Sequence, residues 1–293
     1  MQKEGQLRIL FVINPVSGGK GKSDWETQIR ETIRDSIHVM EFFLLTGKDD
    51  ESSVRNHIER VRPHRVVAVG GDGTVKLVAG ILRGSRIALG ILPAGSANGM
   101  ARELGIPLTP AEALQVVLNG RLQPIDLVAV NDNDICIHLS DLGLNAMLVK
   151  YFEGSKGRGM WGYARAVIRV LWQKQKIHAE ISTDDGSIRR GAYMIVLANA
   201  RKYGTGANIN PDGDPSDGRF EVVVLRRLNL VEILKALFTN RSFDPEKFEV
   251  ITTTKAQIRT HRKTYFQVDG EYRGKTRQVR AEILPGAVQV ILP

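Results

Sequence analysis

The sequence predicts an N-terminal α/β domain, a parallel sheet wrapped by helices, followed by a second domain that is mostly β. Three features carry this reading. Apolar strand-like runs alternate with helical patterns as far as Leu92, which is the signature of βαβ units. The run Gly70-Gly71-Asp72-Gly73-Thr74 follows the apolar residues 66–69 and precedes the apolar-rich residues 75–79, as a strand, a tight turn and a helix start require. Beyond about Asp126, short alternating strands replace the βα rhythm. A chain of 293 residues exceeds ordinary single-domain size and accommodates two cores.

Taken in order, residues 7–13 read as a buried strand that Asn14-Pro15 ends, and a helix is expected from near Ser23, which can serve as its N-cap. Strands are expected at 39–45, 65–69 and 87–92, and helices at 51–61 and 74–82. Loops at the carboxyl ends of parallel strands form the binding crevice, which puts Asn14, Thr46, residues 70–74 and residues 93–98 along one rim. In the second domain, strands are expected at 126–130, 191–198, 220–225 and 265–268, with a helix at 161–173 as the main exception. No Pro-rich or Ser/Gly-rich linker separates the domains, so the cleft between them is the expected substrate site.

Hydrophobic content of 42% with 25% charged residues is that of a globular protein, and no apolar run approaches the ~20 residues of a bilayer span. The first residues contain no signal-like apolar region, which predicts a cytoplasmic location. The single cysteine, Cys136, lies in an apolar run and is expected to be buried. Six scattered histidines without ligand spacing give zinc chemistry no support. A net charge of +9 suits contact with nucleotide phosphates or an acidic membrane surface. No nucleic-acid-binding motif accompanies it.

Glycines at the 70–74 turn can take positive φ and let a phosphate approach backbone N–H groups, while the following helix N-terminus adds a favourable dipole. An anion cradle has use for a carboxylate such as Asp72 if it handles a metal, a metal-bound water or a proton, which points to phosphoryl transfer. A purely structural βα turn is the alternative. The loop ending Gly21-Lys22-Ser23 is no P-loop, because Val16 stands where the first glycine is required. Lys76 replaces the third glycine of a dinucleotide fingerprint. The acidic loop with Asp212, Asp214 and Asp217 can hold a hard cation or be a solvated turn, and it lacks the EF-hand pattern. Residues 154–176 carry Lys156, Arg158, Arg165, Arg169, Lys174 and Lys176 with Trp161, Tyr163 and Trp172, and no acid. That composition fits either a membrane-contacting helix or an amphipathic helix packed on a sheet.

Three ordered motifs, Asn14-Pro15-Val16-Ser17-Gly18, Gly70-Gly71-Asp72-Gly73-Thr74 and the stretch 93–107 beginning Pro93-Ala94-Gly95-Ser96, closely resemble the diacylglycerol kinase catalytic family. That family includes bacterial lipid kinases and sphingosine kinases. The likeness continues through Ile125-Asp126-Leu127, Asp141-Leu142-Gly143, residues 199–206 and 211–218, and Val268-Asp269-Gly270-Glu271. It implies an NAD kinase/diacylglycerol kinase-like fold, with a three-layer α/β ATP-binding domain at 1–126 and a β-sandwich lipid-substrate domain at 127–283. The chain end, about 284–293, is expected to return to the first domain.

The resemblance further implies ATP and Mg²⁺ as cofactors, with Asp72 and Asp126 organising magnesium and water and Glu271 deprotonating the acceptor hydroxyl. Asn14, Thr46, Gly70, Gly71, Gly73, Thr74, Gly95 and Ser96 would position the nucleotide, and Asp217 would hold a structural or regulatory metal. Taken alone, Asp269-Gly270 reads as a hairpin turn pair. Lys76, Leu77, Gly99 and Asn145 depart from common family residues, and Lys76 could add positive charge to the site. The expected activity is phosphorylation of a lipid hydroxyl, diacylglycerol being one candidate, by a cytoplasmic protein peripheral at the inner membrane face. Nucleic acid is not an expected partner, and an edge-to-edge homodimer of the β domain is conceivable. The rival readings are an NAD kinase-like enzyme and a catalytically weak nucleotide- or lipid-binding regulator.

Overall fold

The computed structural model describes residues 6–17, 25–34, 36–132, 134–153, 175–201, 210, 213–227 and 248–293. The chain divides into two compact units, Met1–Ile125 with Gly286–Pro293, and Asp126–Pro285. The loop and helix start expected at 18–24, the helix expected at 161–173 with all its basic and aromatic residues but Lys176, and residues 202–209, 211 and 212 lie outside the described residues.

In the first unit, β1 (Arg8–Ile13), α1 (Trp25–Thr32), β2 (Val39–Leu44), α2 (Asp50–Val61), β3 (Arg65–Gly70), α3 (Asp72–Leu82), β4 (Ala88–Pro93), α4 (Gly99–Glu103) and α5 (Pro110–Asn119) follow one another. The strands pair in parallel in the order β4-β3-β1-β2. Residues 9–12 of β1 and 66–69 of β3 have no solvent exposure, because a parallel sheet covered by helices buries both faces of its central strands. Helix α2 turns Val54, Ile58 and Val61 inward at helical spacing. At the amino ends of the strands two arginines cap helix carboxyl ends: Arg8 Nη1 donates to Val61 O (2.5 Å), and Arg65 Nη1 to the carbonyls of Val117 and Leu118. Burial lowers the Arg65 pKa from its ordinary value.

The second unit begins within β5 (Arg121–Val130) and continues through β6 (Asp134–Cys136), β7 (Leu139–Gly143), α6 (Leu144–Glu153), β8 (Ile177–Thr183), β9 (Gly186–Ala192), β10 (Met194–Ala198), β11 (Phe220–Leu225), β12 (Phe248–Thr253), β13 (Lys255–Val268) and β14 (Glu271–Leu292). Strands β12-β11-β10-β7-β13 form an antiparallel run. The first half of β13 pairs instead with β8, itself paired to β9. Irregular register between Arg259 and Thr264 lets this one strand serve two sheets. Leu142, Ile195, Leu197, Val222 and Val224 meet Ile181, Ile258 and Val279 in the core that the two sheets share. The alternate residues Leu139, Val196 and Val223 form a second cluster with Leu144 and Tyr193. Strand β14 is continuous, and its last residues belong to the first unit, where Val290 pairs in parallel with Leu89 of β4.

Two features depart from the sequence reading. The strand expected at 191–198 is divided at Tyr193, because β9 pairs with β8 whereas β10 pairs with β7 and β11. Helix α6 was not expected in a β domain. Asp141, fully buried on β7, starts it: Oδ1 accepts from Ala146 N (2.8 Å) and Oδ2 from Asn145 Nδ2 (2.6 Å) and Gln267 Nε2. Cys136 is buried, as expected. Among the described residues no helix is long and apolar enough to cross a membrane.

The turn between β8 and β9 holds a pH-sensitive anchor. Asp184 Oδ2 accepts from Thr254 N (2.7 Å), Thr254 Oγ1 (2.8 Å) and Thr253 Oγ1 (2.9 Å). These bonds, the Thr254 amide first, outweigh desolvation and hold its carboxyl well below the usual range. A carboxyl depressed on folding stabilises the folded state above its unfolded pKa of ~3.9, and that contribution fades as pH falls below this value. Asp184→Asn should therefore lower stability at pH 7 and flatten the acid limb of the stability profile below pH ~4, as measured by urea unfolding across pH.

Candidate active site

The rim at the carboxyl ends of the parallel strands is built by backbone proximity. Ile13 is in register with Val69, and Gly70 with Pro93. Asn14 N donates to Val69 O (2.9 Å) and Ala94 N to Gly70 O (2.8 Å), so the loops after β1, β3 and β4 start side by side. Gly71 is the extended N-cap of α3, and its carbonyl accepts from the amides of Thr74 (3.0 Å) and Val75 (3.1 Å). The helix therefore opens at Asp72, two residues before the expected start. The amides of Asp72 and Gly73 head that first turn, where no earlier turn supplies carbonyl acceptors.

Left-handed backbone is not what these glycines supply. Gly71 has φ −91°, and none of Gly70, Gly71, Gly73 or Gly95 has positive φ. Close approach is the reason for glycine. A Cβ on Gly70 would lie 2.2 Å from Thr74 Oγ1, and one on Gly95 would lie 2.5 Å from the Gly71 Cα. The β3–α3 and β4–α4 turns thus touch backbone to backbone. Asn98, left-handed at φ 50°, clamps the second turn by accepting from Gly95 N (2.8 Å) and donating to Gly95 O (2.9 Å). Its role was not anticipated; the signal available was an Asn-Gly pair at a turn. Ser96 stands exposed between Gly95 and Asn98.

Asp72 spans the two turns. Its Oδ2 accepts from Gly99 N (3.0 Å) and its Oδ1 from Met100 N (3.0 Å), so both oxygens serve the start of α4 while other lone pairs stay available. Asn14 Nδ2 reaches Thr74 Oγ1 at 3.4 Å, and Asn14 Oδ1 accepts from Val16 N (3.1 Å). Thr74 is only 4% exposed and supports the turn from within. Thr46 lies beyond the end of β2, and its amide and hydroxyl donate to Asp50 Oδ1 at 2.9 and 3.1 Å, fastening the start of α2. Lys76, which could add charge to the site, is buried on α3.

In the second unit, Asp126 is buried on β5, and its Oδ2 accepts from Gly218 N (2.6 Å). Asp217, one residue before that glycine, is exposed and accepts from Arg219 N (2.9 Å). The two carboxylates are thereby linked through the Asp217-Gly218 backbone, and a hard, oxygen-seeking cation suits such donors. Among the described residues no group of three His, Cys, Asp or Glu is close enough to form a complete metal site. Asp269 and Gly270 form the β13–β14 hairpin turn with φ of 49° and 83°, the two positive values a type I′ turn requires. The Asp269 carboxylate accepts from the amides of Ile137 (3.1 Å), His138 (2.9 Å) and Leu139 (3.2 Å). Glu271 opens β14, half exposed, with Oε2 accepting from Arg273 Nη2 (2.6 Å). Arg273 also pairs with Asp134, and these acids raise its pKa, the Asp134 hydrogen bond most.

Asn199 Nδ2 donates to the carbonyls of Asp126 (2.9 Å) and Ile137 (3.1 Å), joining these two neighbourhoods. Among the described residues its Oδ1 and the Nε2 of buried His138 meet no hydrogen-bond partner. His138 was not singled out by the sequence reading, since a lone histidine in an apolar run carries no motif.

Comparison with known proteins bears on the family and the fold. Residues 8–130 match the diacylglycerol kinase catalytic domain, and residues 141–292 match the YegS C-terminal NAD kinase beta sandwich-like domain. Relatives described as "Probable lipid kinase YegS-like" come from Klebsiella pneumoniae, 30% identical over 97% of this chain and 95% of the relative, and from Serratia proteamaculans, 30% identical over 97% and 93%. The crystal structure of a diacylglycerol kinase from Bacillus anthracis superposes with a TM-score of 0.76 at 17% identity, covering 98% of this chain and 97% of the other. A second crystal structure from that organism gives 0.79 at 20% identity over 99% of both chains. The paired glycine turns, the β-sandwich unit and these matches together make the chain a kinase of the YegS-like lipid kinase family.

Proposed function

We propose that the protein transfers the γ-phosphoryl group of ATP, with Mg²⁺, to the hydroxyl of a membrane lipid such as diacylglycerol. The observation that supports this most is the contact of Gly71 with Gly95, which brings two loops without bulky side chains beside the open first turn of α3. Amides of Gly71, Asp72 and Gly73, with the Ser96 hydroxyl, would bind the nucleotide phosphates, and the helix dipole favours their charge. Asn14, Gly70 and Thr74 hold the first of these loops in shape, and Thr46 fastens the start of α2.

Magnesium would neutralise phosphate charge, and Asp72 in the first unit and Asp126 in the second are each carboxylate donors of the kind that suits such an ion or its water. Asp217 would hold a second, structural cation. Glu271 is the proposed base. As the acceptor oxygen forms its bond to the γ-phosphorus and the bond to the departing ADP breaks, the hydroxyl proton passes to Glu271 Oε. Its pairing with Arg273 orients the carboxylate at modest cost, because the pair is solvent-accessible. A lipid acceptor implies peripheral contact with the cytoplasmic face of the membrane.

Incubation of the purified protein with radiolabelled ATP, Mg²⁺ and a total bacterial lipid extract, with NAD offered separately, tests the reading. A labelled chloroform-soluble product is expected; label found only in NAD would overturn it. Glu271→Gln should lower kcat by roughly 10²–10⁴-fold with little change in ATP affinity, and near-normal turnover would remove Glu271 from the base role. Gly95→Ala should push the two turns apart, weakening ATP binding by about tenfold or more and lowering stability by ~1–3 kcal/mol. Equilibrium binding and urea unfolding read the two effects separately.

A further inference from the structure

A cavity of about 960 Å³ lies within the second unit, between the start of α6, the start of β8 and the bend of β13. Its lining is of two kinds. Leu144, Met147, Ile177 and Tyr193 give an apolar, largely buried floor. Lys176, His178, His261, Arg262, Lys263 and Lys275 are exposed around it, and among the described residues no carboxylate lines it. Among the described residues no ion pair engages Lys176, Arg262, Lys263 or Lys275, although acids elsewhere on these strands are paired.

The cations are also held in place. Lys275 Nζ stands 4.3 Å from the centre of the Tyr265 ring, and Lys176 Nζ 5.7 Å from that of Tyr193. Burial raises the Tyr265 pKa, yet hydrogen bonds from Tyr151 and Lys275 and the charges of Lys150 and Lys275 bring it below the ordinary value, the mark of a positive local field. Four like charges that meet no counter-charge among the described residues repel one another, and an anion relieves that repulsion.

We propose that this cavity is a binding site for a phosphate-bearing group, with the apolar floor accepting carbon atoms attached to it. The ring of cations supplies charge-assisted donors for phosphate oxygens, and the floor gives an amphiphile an advantage over inorganic phosphate. Two sources share this chemistry: a soluble phosphate ester and the headgroup of an anionic phospholipid in a bilayer. The site does not depend on the phosphoryl-transfer reading, and its test uses no ATP.

The full chain would be titrated calorimetrically with glycerol 3-phosphate, and co-sedimented with phosphatidylcholine vesicles with and without phosphatidylglycerol. Saturable binding of glycerol 3-phosphate assigns a soluble ester. Binding confined to the anionic vesicles assigns a bilayer headgroup. In whichever arm binds, Lys263→Gln and Lys275→Gln should each weaken it by about tenfold, the loss of one charge-assisted hydrogen bond. Lys263→Arg should retain binding, and Lys255→Gln, on β13 outside the cavity, should leave it unchanged. Unchanged melting temperatures would show that the variants are folded. No binding in either arm, or an equal loss in Lys255→Gln, overturns the proposal.

Discussion

Within each unit, the elements around the candidate site are fixed by carboxylates that accept backbone amides from distant segments. Asp72 holds Gly99 and Met100, Asp269 holds Ile137 to Leu139, and Asp126 holds Gly218. Asp141 and Asp184 do the same work further away, at the start of α6 and at the β8–β9 turn. A charge-assisted bond of this kind contributes about 1.5–3 kcal/mol, and its loss also leaves a polar amide without its acceptor.

This arrangement changes how the acidic motif residues are understood. Asp72 looks in sequence like a group waiting for a metal or a proton, and Asp269 like a turn residue, yet the oxygens of both first organise the chain. A structural role and a chemical one are compatible, because a carboxylate has more lone pairs than these amides occupy. Glu271 differs: it is half exposed, engaged by a side chain rather than by amides, and free to exchange partners. The distinction between a carboxylate that builds and one that reacts follows from the donors around it.

The parallel sheet was legible because its strands are continuous apolar runs, with turn residues between them and helices at regular spacing. The glycine turns were legible as turns, but for the wrong local reason: contact between Gly71 and Gly95, distant in sequence, requires the missing side chains, not positive φ. Helix α6 was hidden for a similar cause. Its start is fixed by Asp141, which the fold also uses to hold Gln267 from β13, and no local pattern records that partnership. The division at Tyr193 likewise depends on which neighbours each half of the run finds.

By itself the sequence determined the order of elements, the position of the two glycine turns and the residue types available for phosphoryl transfer, because periodicity, turn chemistry and motif spacing are local. Tertiary structure alone decided which carboxylates are consumed by backbone amides, why glycine is needed at positions 70 and 95, and where cations gather around a cavity. Those outcomes arise from contacts between residues far apart in the chain, whose distances no local pattern encodes.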